Sequence, residues 1–309
     1  MVHKIIENIS KVIVGKEDVC KLLLTSMVAG GHVLIEDMPG SGKTKLAKAL
    51  GKTLDIKFSR IQFTPDLLPS DVTGLNVFNK ATSEFELKNG PVFTNILLAD
   101  EINRATPRTQ AGLLECMEEH QVTIDGETFS FPEPFFVIAN QNPIETAGTF
   151  PLPEAQLDRF LMKISMGALS REDEMSILDR FEGEDPLDTL GNVATGSDIL
   201  ELRNKAKEVF VSPDVKKYIL DIIEKTRDSE RVLAGVSTRG ALGRMNAAKA
   251  YAVVLGRDYV IPDDINYLSK YVLAHRLVLS TGQSNYEEAK KIIDRIVDAT
   301  EKPTETVKA

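Results

Sequence analysis

A strand that must turn sharply into a helix through Asp37-Met38-Pro39-Gly40-Ser41-Gly42-Lys43-Thr44 constrains this chain more than any other feature. His32-Val33-Leu34-Ile35 ahead of the turn is a short apolar, β-branched run, the pattern of a strand covered on both faces. Behind it, Leu46, Ala47 and Leu50 recur at helical spacing, so a helix begins near Gly42. Such a turn aims several backbone N–H groups and the positive end of the helix at one point, where an anion belongs. Gly40 and Gly42 let the backbone close around phosphates, and Pro39 stiffens the approach. Ser41 and Lys45 belong to the same loop; Lys43 would neutralise β- and γ-phosphates, and the Thr44 hydroxyl would coordinate Mg²⁺. The usual G-x-x-x-x-G-K-[ST] pattern opens with Gly where this chain has Asp37. Asp tolerates left-handed backbone better than most residues, so the loop is expected to form nonetheless.

A second segment agrees with the first. Ile96-Leu97-Leu98-Ala99 reads as a central parallel strand, and Asp100 leaves its carboxyl end, where open α/β sheets bind ligands. Asp100 would hold Mg²⁺ through water, and Glu101 beside it can polarise an attacking water. An Asp-Glu pair after a strand is common alone; paired with a phosphate loop it implies a nucleoside triphosphate that is hydrolysed.

Charge narrows the remaining classes. The 37 basic and 46 acidic residues leave a net charge of −9 without a dense basic cluster, which argues against a general nucleic-acid binder. No apolar run approaches membrane-spanning length, and the first residues lack the long apolar stretch of a signal peptide, so no membrane insertion and a cytoplasmic location are expected. Cys20 and Cys116 are too few for a disulfide framework and read as buried thiols. Four scattered histidines point to no protein metal site.

Along the chain, a helical stretch runs from Lys16 to Met27, and Ile56–Ile61 reads as a second strand. Residues Gly74 to Phe93 alternate around Asn79-Lys80-Ala81-Thr82 as an inserted β-hairpin; a second hairpin, Gln121 onward, turns at Asp125-Gly126. Between them Thr106 caps and Pro107 opens a helix expected to carry Ala111, Leu114 and Met117 inward. Phe135–Ala139 is another buried strand, delivering Asn140 at its end, and Leu161–Ile164 is the last. Beyond about Gly167 the texture is helical, with Gly183 to Ser197 read as a linker. Helices then start at Pro213, after Ser237, at Pro262 and near Tyr286, and the 301–309 tail is expected to be disordered. The division expected is an α/β nucleotide-binding core over 1–168, a connecting helix and linker over 169–200, and a helical lid with its tail over 201–309.

The segments EDMPGSGKT, ILLADEINRATPRTQAGLLECMEE, FFVIANQNPIETAGTFPLPEAQLDRFLMKI and GVSTRGALGRMNAAKAYA, in this order, resemble the AAA+ ATPase module and within it the MoxR family. The resemblance covers nearly the whole chain. It implies a P-loop core with a parallel sheet and inserted β-hairpins, followed by a small all-helical lid, working with ATP/ADP and Mg²⁺. By position it implies that Asn140 is the sensor orienting water, and that Arg159 is the arginine finger reaching a neighbour's γ-phosphate. It likewise makes Arg239 the lid's second sensor, with Arg104 near the subunit boundary. Val14 and Gly15 match the segment that walls the adenine, although Lys16 stands where the family usually carries Gln. The resemblance further implies a homo-oligomer, a hexameric ring, that remodels a protein client, with von Willebrand A-domain proteins among the family's partners. Two rivals remain. A nucleic-acid motor would need basic hairpin tips, but Lys80 and Lys88 are offset by Glu84 and Glu86, and Asp125 and Glu127 make the other hairpin acidic. A nucleotide-gated scaffold with little turnover would have no use for Glu101.

Overall fold

The computed structural model describes residues 1–143, 148–281 and 285–304. Helices α1 (Val2–Ser10) and α2 (Glu17–Val28) lead into β1 (Val33–Glu36), α3 (Lys43–Thr53), β2 (Phe58–Gln62) and the short α4 (Pro69–Thr73). The hairpin β3 (Gly74–Asn79) and β4 (Glu84–Asn89) follows, then β5 (Ile96–Asp100), α5 (Pro107–Glu119), and a second hairpin, β6 (Gln121–Ile124) and β7 (Glu127–Ser130). β8 (Phe136–Gln141), α6 (Glu154–Leu157) and β9 (Met162–Ile164) complete the α/β part. Among the described residues the central sheet has five strands in the order β2-β5-β8-β1-β9, with every neighbouring pair parallel.

The apolar runs explain the order of burial. Val33 to Ile35, Ile96 to Ala99 and Phe136 to Ala139 are all buried, as strands covered by helices on both faces must be. Register then aligns the strand ends: Ile35 pairs with Asn140, Glu36 with Gln141, and Gln62 with Asp100. The phosphate loop, the acidic pair and Asn140 therefore leave the sheet at one carboxyl edge, where open α/β sheets bind ligands.

The rest is helical: α7 (Arg171–Arg180), α8 (Gly196–Glu208), α9 (Pro213–Arg227), β10 (Val232–Ala234), α10 (Thr238–Val254), α11 (Pro262–Leu273), β11 (Val278–Leu279) and α12 (Tyr286–Asp298). Ala247, Ala248, Ala250 and Ala252 are all buried, so α10 is a helix enclosed on most sides, lying against α2, α8, α9 and α11. One apolar cluster consequently runs unbroken from Ile5, Leu23 and Leu46 to Ile199, Ala248 and Leu268, tying the helical lid to the core. A second cluster, with Phe63, Leu113, Phe135 and Phe160, fills the other face of the sheet.

The hairpins form where alternation called for them, the second turning at Asp125-Gly126 with both φ angles positive. Three elements escape the sequence reading. α1 sets Ile5 and Ile9 in the core with Val2 and Ile6 against it, α4 is five residues long, and β10 pairs with β11 across a bulge. The linker expected over 183–197 gives way to α8 at Gly196, whose cap is the reciprocal Thr195–Asp198 pair. In the expected disordered tail, Lys302 pairs with Asp263 at 2.7 Å, while residues 305–309 lie outside the described residues. Among the described residues no helix is long and apolar enough to cross a membrane.

Candidate nucleotide site

The loop after β1 adopts the geometry its glycines require. Gly40 (φ +82°) and Gly42 (φ +87°) are left-handed, and a Cβ at either would meet nothing within 4 Å, so backbone conformation rather than space demands glycine. Asp37 forms the loop for a different reason from the one expected, because it is absent from the positive-φ residues. Its carboxylate accepts from Met38 N at 2.8 Å, Met166 N at 2.7 Å and Ser165 Oγ at 3.2 Å, lashing the loop to the exit of β9. Lys43 Nζ curls back to donate to Met38 O at 2.8 Å and Ser41 Oγ at 3.1 Å. Burial lowers its pKa, with the carboxylates of Asp37, Asp100 and Glu101 opposing.

Across the cleft the acidic pair is held from β8, from β2 and from the turn that follows β5. Asn140 Nδ2 donates to Asp100 Oδ1, while Asn140 Oδ1 accepts from Glu101 N at 2.6 Å; one amide thus fixes both carboxylate residues. Glu101 is left-handed (φ +55°), uncommon for a residue with a Cβ and typical of a functional position held by its surroundings. Its carboxylate receives Gln62 Nε2 at 2.8 Å and Arg104 Nε at 2.9 Å. Arg60 donates to Asp100 Oδ2 through Nε (3.0 Å) and Nη2 (2.5 Å), and to Gln62 Oε1 at 2.8 Å. Arg60 and Gln62 escape the sequence reading. Their signal was two polar residues two apart at the carboxyl end of a predicted strand, hence on one face.

The cleft, about 460 Å³, gathers Pro39 to Lys45, Asp100, Glu101 and Asn140 in one place. Thr44 and Asp100 present hard oxygen donors to the same space, which suits Mg²⁺, an ion that takes one or two protein oxygens and completes its shell with phosphates and water. No cluster of three or more His, Cys, Asp or Glu suited to a metal exists among the described residues.

Val14, Gly15, Arg159 and Arg239 do not line this cleft. Val14 is buried, and Gly15 faces Asp173, whose carboxylate a Cβ would strike at 2.7 Å. Lys16 Nζ donates to Gly167 O and Ala168 O, so the stretch after β9 packs on the segment expected to wall adenine. Lys45 lines the cleft, but its Nζ pairs with Asp185 at 2.8 Å over the Phe181 ring. Arg159 and Arg239 meet in a different hollow of about 300 Å³, both on Glu118: Arg159 Nε at 3.2 Å and Arg239 Nη2 at 2.6 Å. Arg239 is therefore beside Arg159 and not at the phosphate loop of its own chain, because α10 is anchored on α2 and α8 with its first turn facing the end of α5.

Comparison with known proteins assigns the class that this geometry defines. The model of the ATPase family associated with various cellular activities (AAA) matches residues 32–162, and that of the AAA lid domain matches residues 224–296. This is an AAA+ ATPase: a P-loop core followed by a helical lid. An uncharacterized protein of Bacillus subtilis, YeaC, is 48% identical over 99% of this chain and 96% of its own. Chaperone MoxR1 of Mycobacterium tuberculosis is 40% identical over 97% of this chain and 82% of its own. A crystal structure of an inferred ATPase from Cytophaga hutchinsonii superposes with a TM-score of 0.89 at 40% identity, covering 98% of this chain and 95% of that one. The chain belongs to the MoxR family of AAA+ ATPases.

Proposed function

We propose that the protein hydrolyses ATP with Mg²⁺ at a site completed by a second copy of the chain, within a hexameric ring that remodels protein clients. The pairing of Arg159 and Arg239 on one carboxylate carries this reading. Two guanidiniums that converge on Glu118, away from their own phosphate loop, are poised to exchange that carboxylate for the γ-phosphate of a neighbour.

Within one subunit, Gly40, Gly42 and the start of α3 cradle the phosphates and Lys43 turns from loop carbonyls to bind them. Mg²⁺, held by Thr44 and Asp100, would supply positive charge to the phosphates. Glu101 takes a proton from water, and Asn140 holds Glu101 and Asp100 in their relative places. Arg159 from the neighbour stabilises the charge that develops on the transferred group, with Arg239 beside it. The hairpin β3–β4 supports a protein client: Leu75, Val77, Phe78 and Phe85 are exposed, Phe85 by 72%, and the rings of Phe78 and Phe85 pair at 5.4 Å. A von Willebrand A-domain protein is the client class that the family resemblance suggests. Two free, buried thiols accord with the reducing cytoplasm of this reading.

The test is steady-state phosphate release. Arg159→Ala should keep ATP affinity but lose turnover by ~10³-fold or more, the range for an arginine finger, equivalent to about 4 kcal/mol. Mixing Arg159→Ala with Lys43→Ala should restore part of that turnover. Full activity in Arg159→Ala, or a mixture as inactive as its parts, would overturn the shared site.

A further inference from the structure

We propose that Arg276 and Asp158 form a positioning pair for Arg159, a buried ion pair by which the lid of one subunit aims the guanidinium offered to its neighbour. The inference rests on the reading of Arg159 above.

Arg276 lies in the 3-10 turn 274–276 between α11 and β11, on the lid, and its side chain is almost wholly buried. Its Nε donates to Asp158 Oδ1 at 2.6 Å, and its Nη2 to Phe160 O at 2.8 Å and Asp158 O at 3.3 Å. Its Nη1 donates to Leu161 O at 3.2 Å. One planar group therefore caps the chain on both sides of Arg159 and neutralises the carboxylate immediately before it. The need arises locally: α6 is four residues long, so the carbonyls that follow have no helix to continue into. A guanidinium, with five donors in a fixed plane, can satisfy them together where an ammonium cannot.

The same side chain supports the second arginine. A Cβ on Gly240 would lie 3.0 Å from Arg276 Cδ, so the first turn of α10, which carries Arg239, rests directly on Arg276. With Glu118 holding both guanidiniums from α5, the lid fixes the base of each arginine and the core fixes its tip. A rotation of the lid would thus move Asp158 and Arg159 together. Burial disfavours the charge on Arg276 and Asp158 opposes that effect, a costly arrangement for a mere staple.

Arg276→Lys keeps a cation beside Asp158 but loses the fork. It should lower kcat by about 10-fold or more, with KM for ATP held within about twofold, since small misplacement of a catalytic group is enough for such losses. Added to Arg159→Ala it should lower kcat far less than it does alone, because its main target is already removed and only its support of Arg239 is left to lose. Asp158→Asn carries the same comparison should Arg276→Lys fail to fold. In mixtures of Lys43→Ala with Arg159→Ala, Arg276→Lys should cut the recovered turnover by a similar factor when placed on the Lys43→Ala subunit, which supplies the finger, and largely spare it on the Arg159→Ala subunit. Additive losses in the double variant, or equal losses from either subunit, would overturn the proposal. A parent mixture without recovery would instead sink the shared site, while non-additivity in the uniform protein would still decide the role of Arg276.

Discussion

At the scale of residues, the chemistry rests on how few groups hold the acidic pair. Asn140 bonds to both Asp100 and Glu101, and Gln62 and Arg104 hold the Glu101 carboxylate, so the expected base is fixed in a left-handed conformation before any substrate arrives. Glu101→Gln should therefore retain ATP affinity and lose turnover by about 10²- to 10⁴-fold, the usual span for a general base, in a phosphate-release assay. Undiminished hydrolysis would assign the base elsewhere. The motif residues were legible because loop, strand end and residue type coincide at Lys43, Thr44, Asp100 and Glu101. Arg60 and Gln62 were not: a polar residue on an edge strand is ordinarily solvated, and only pairing with β5 turns these two toward Asp100 and Glu101. Arg239 illustrates a different limit. Its place on a helix's first turn was readable, but the cleft that this turn faces depends on how α10 docks against α2 and α8.

At the scale of elements, strands and hairpins were legible because burial on two faces, or alternation on one, leaves a strong period. Helix α1 carries that period too, in Val2, Ile5, Ile6 and Ile9, but went unassigned, whereas the β10–β11 pair buries too few residues to declare itself. One junction makes its own prediction. His32, at the entrance to β1, accepts from Val137 N through Nδ1 at 3.0 Å, so Nε2 carries the proton and faces Met117 O at 3.0 Å. Complete burial pushes its pKa down to about 4. The unfolded chain protonates this group near its ordinary 6.5, so between pH 6.5 and about 4 the unfolded state binds more protons and stability falls as pH drops. The contribution amounts to about 3 kcal/mol at most. His32→Gln should lower Tm at pH 7 yet flatten the dependence of Tm on pH across that window; an unchanged slope would contradict the assignment.

At the scale of the whole molecule, two hollows hold the groups assigned to the proposed reaction. One collects the phosphate loop, the acidic pair and Asn140; the other collects Arg159, Arg239 and Glu118, with Arg276 behind them. The apolar cluster joins lid to core beneath the second hollow, and the hairpin β3–β4 exposes Phe78 and Phe85, the surface assigned to a client in the proposed function. All of this depends on the first hollow accepting a triphosphate. Calorimetric titration of Mg²⁺-ATP into Glu101→Gln, beside Glu101→Gln carrying Lys43→Ala, asks that question directly. Saturable binding of one nucleotide per chain, weakened by at least about 10- to 100-fold when Lys43 is lost, is the predicted result, as expected for a charged hydrogen-bonding partner. No binding by Glu101→Gln, or equal binding by both proteins, would contradict it.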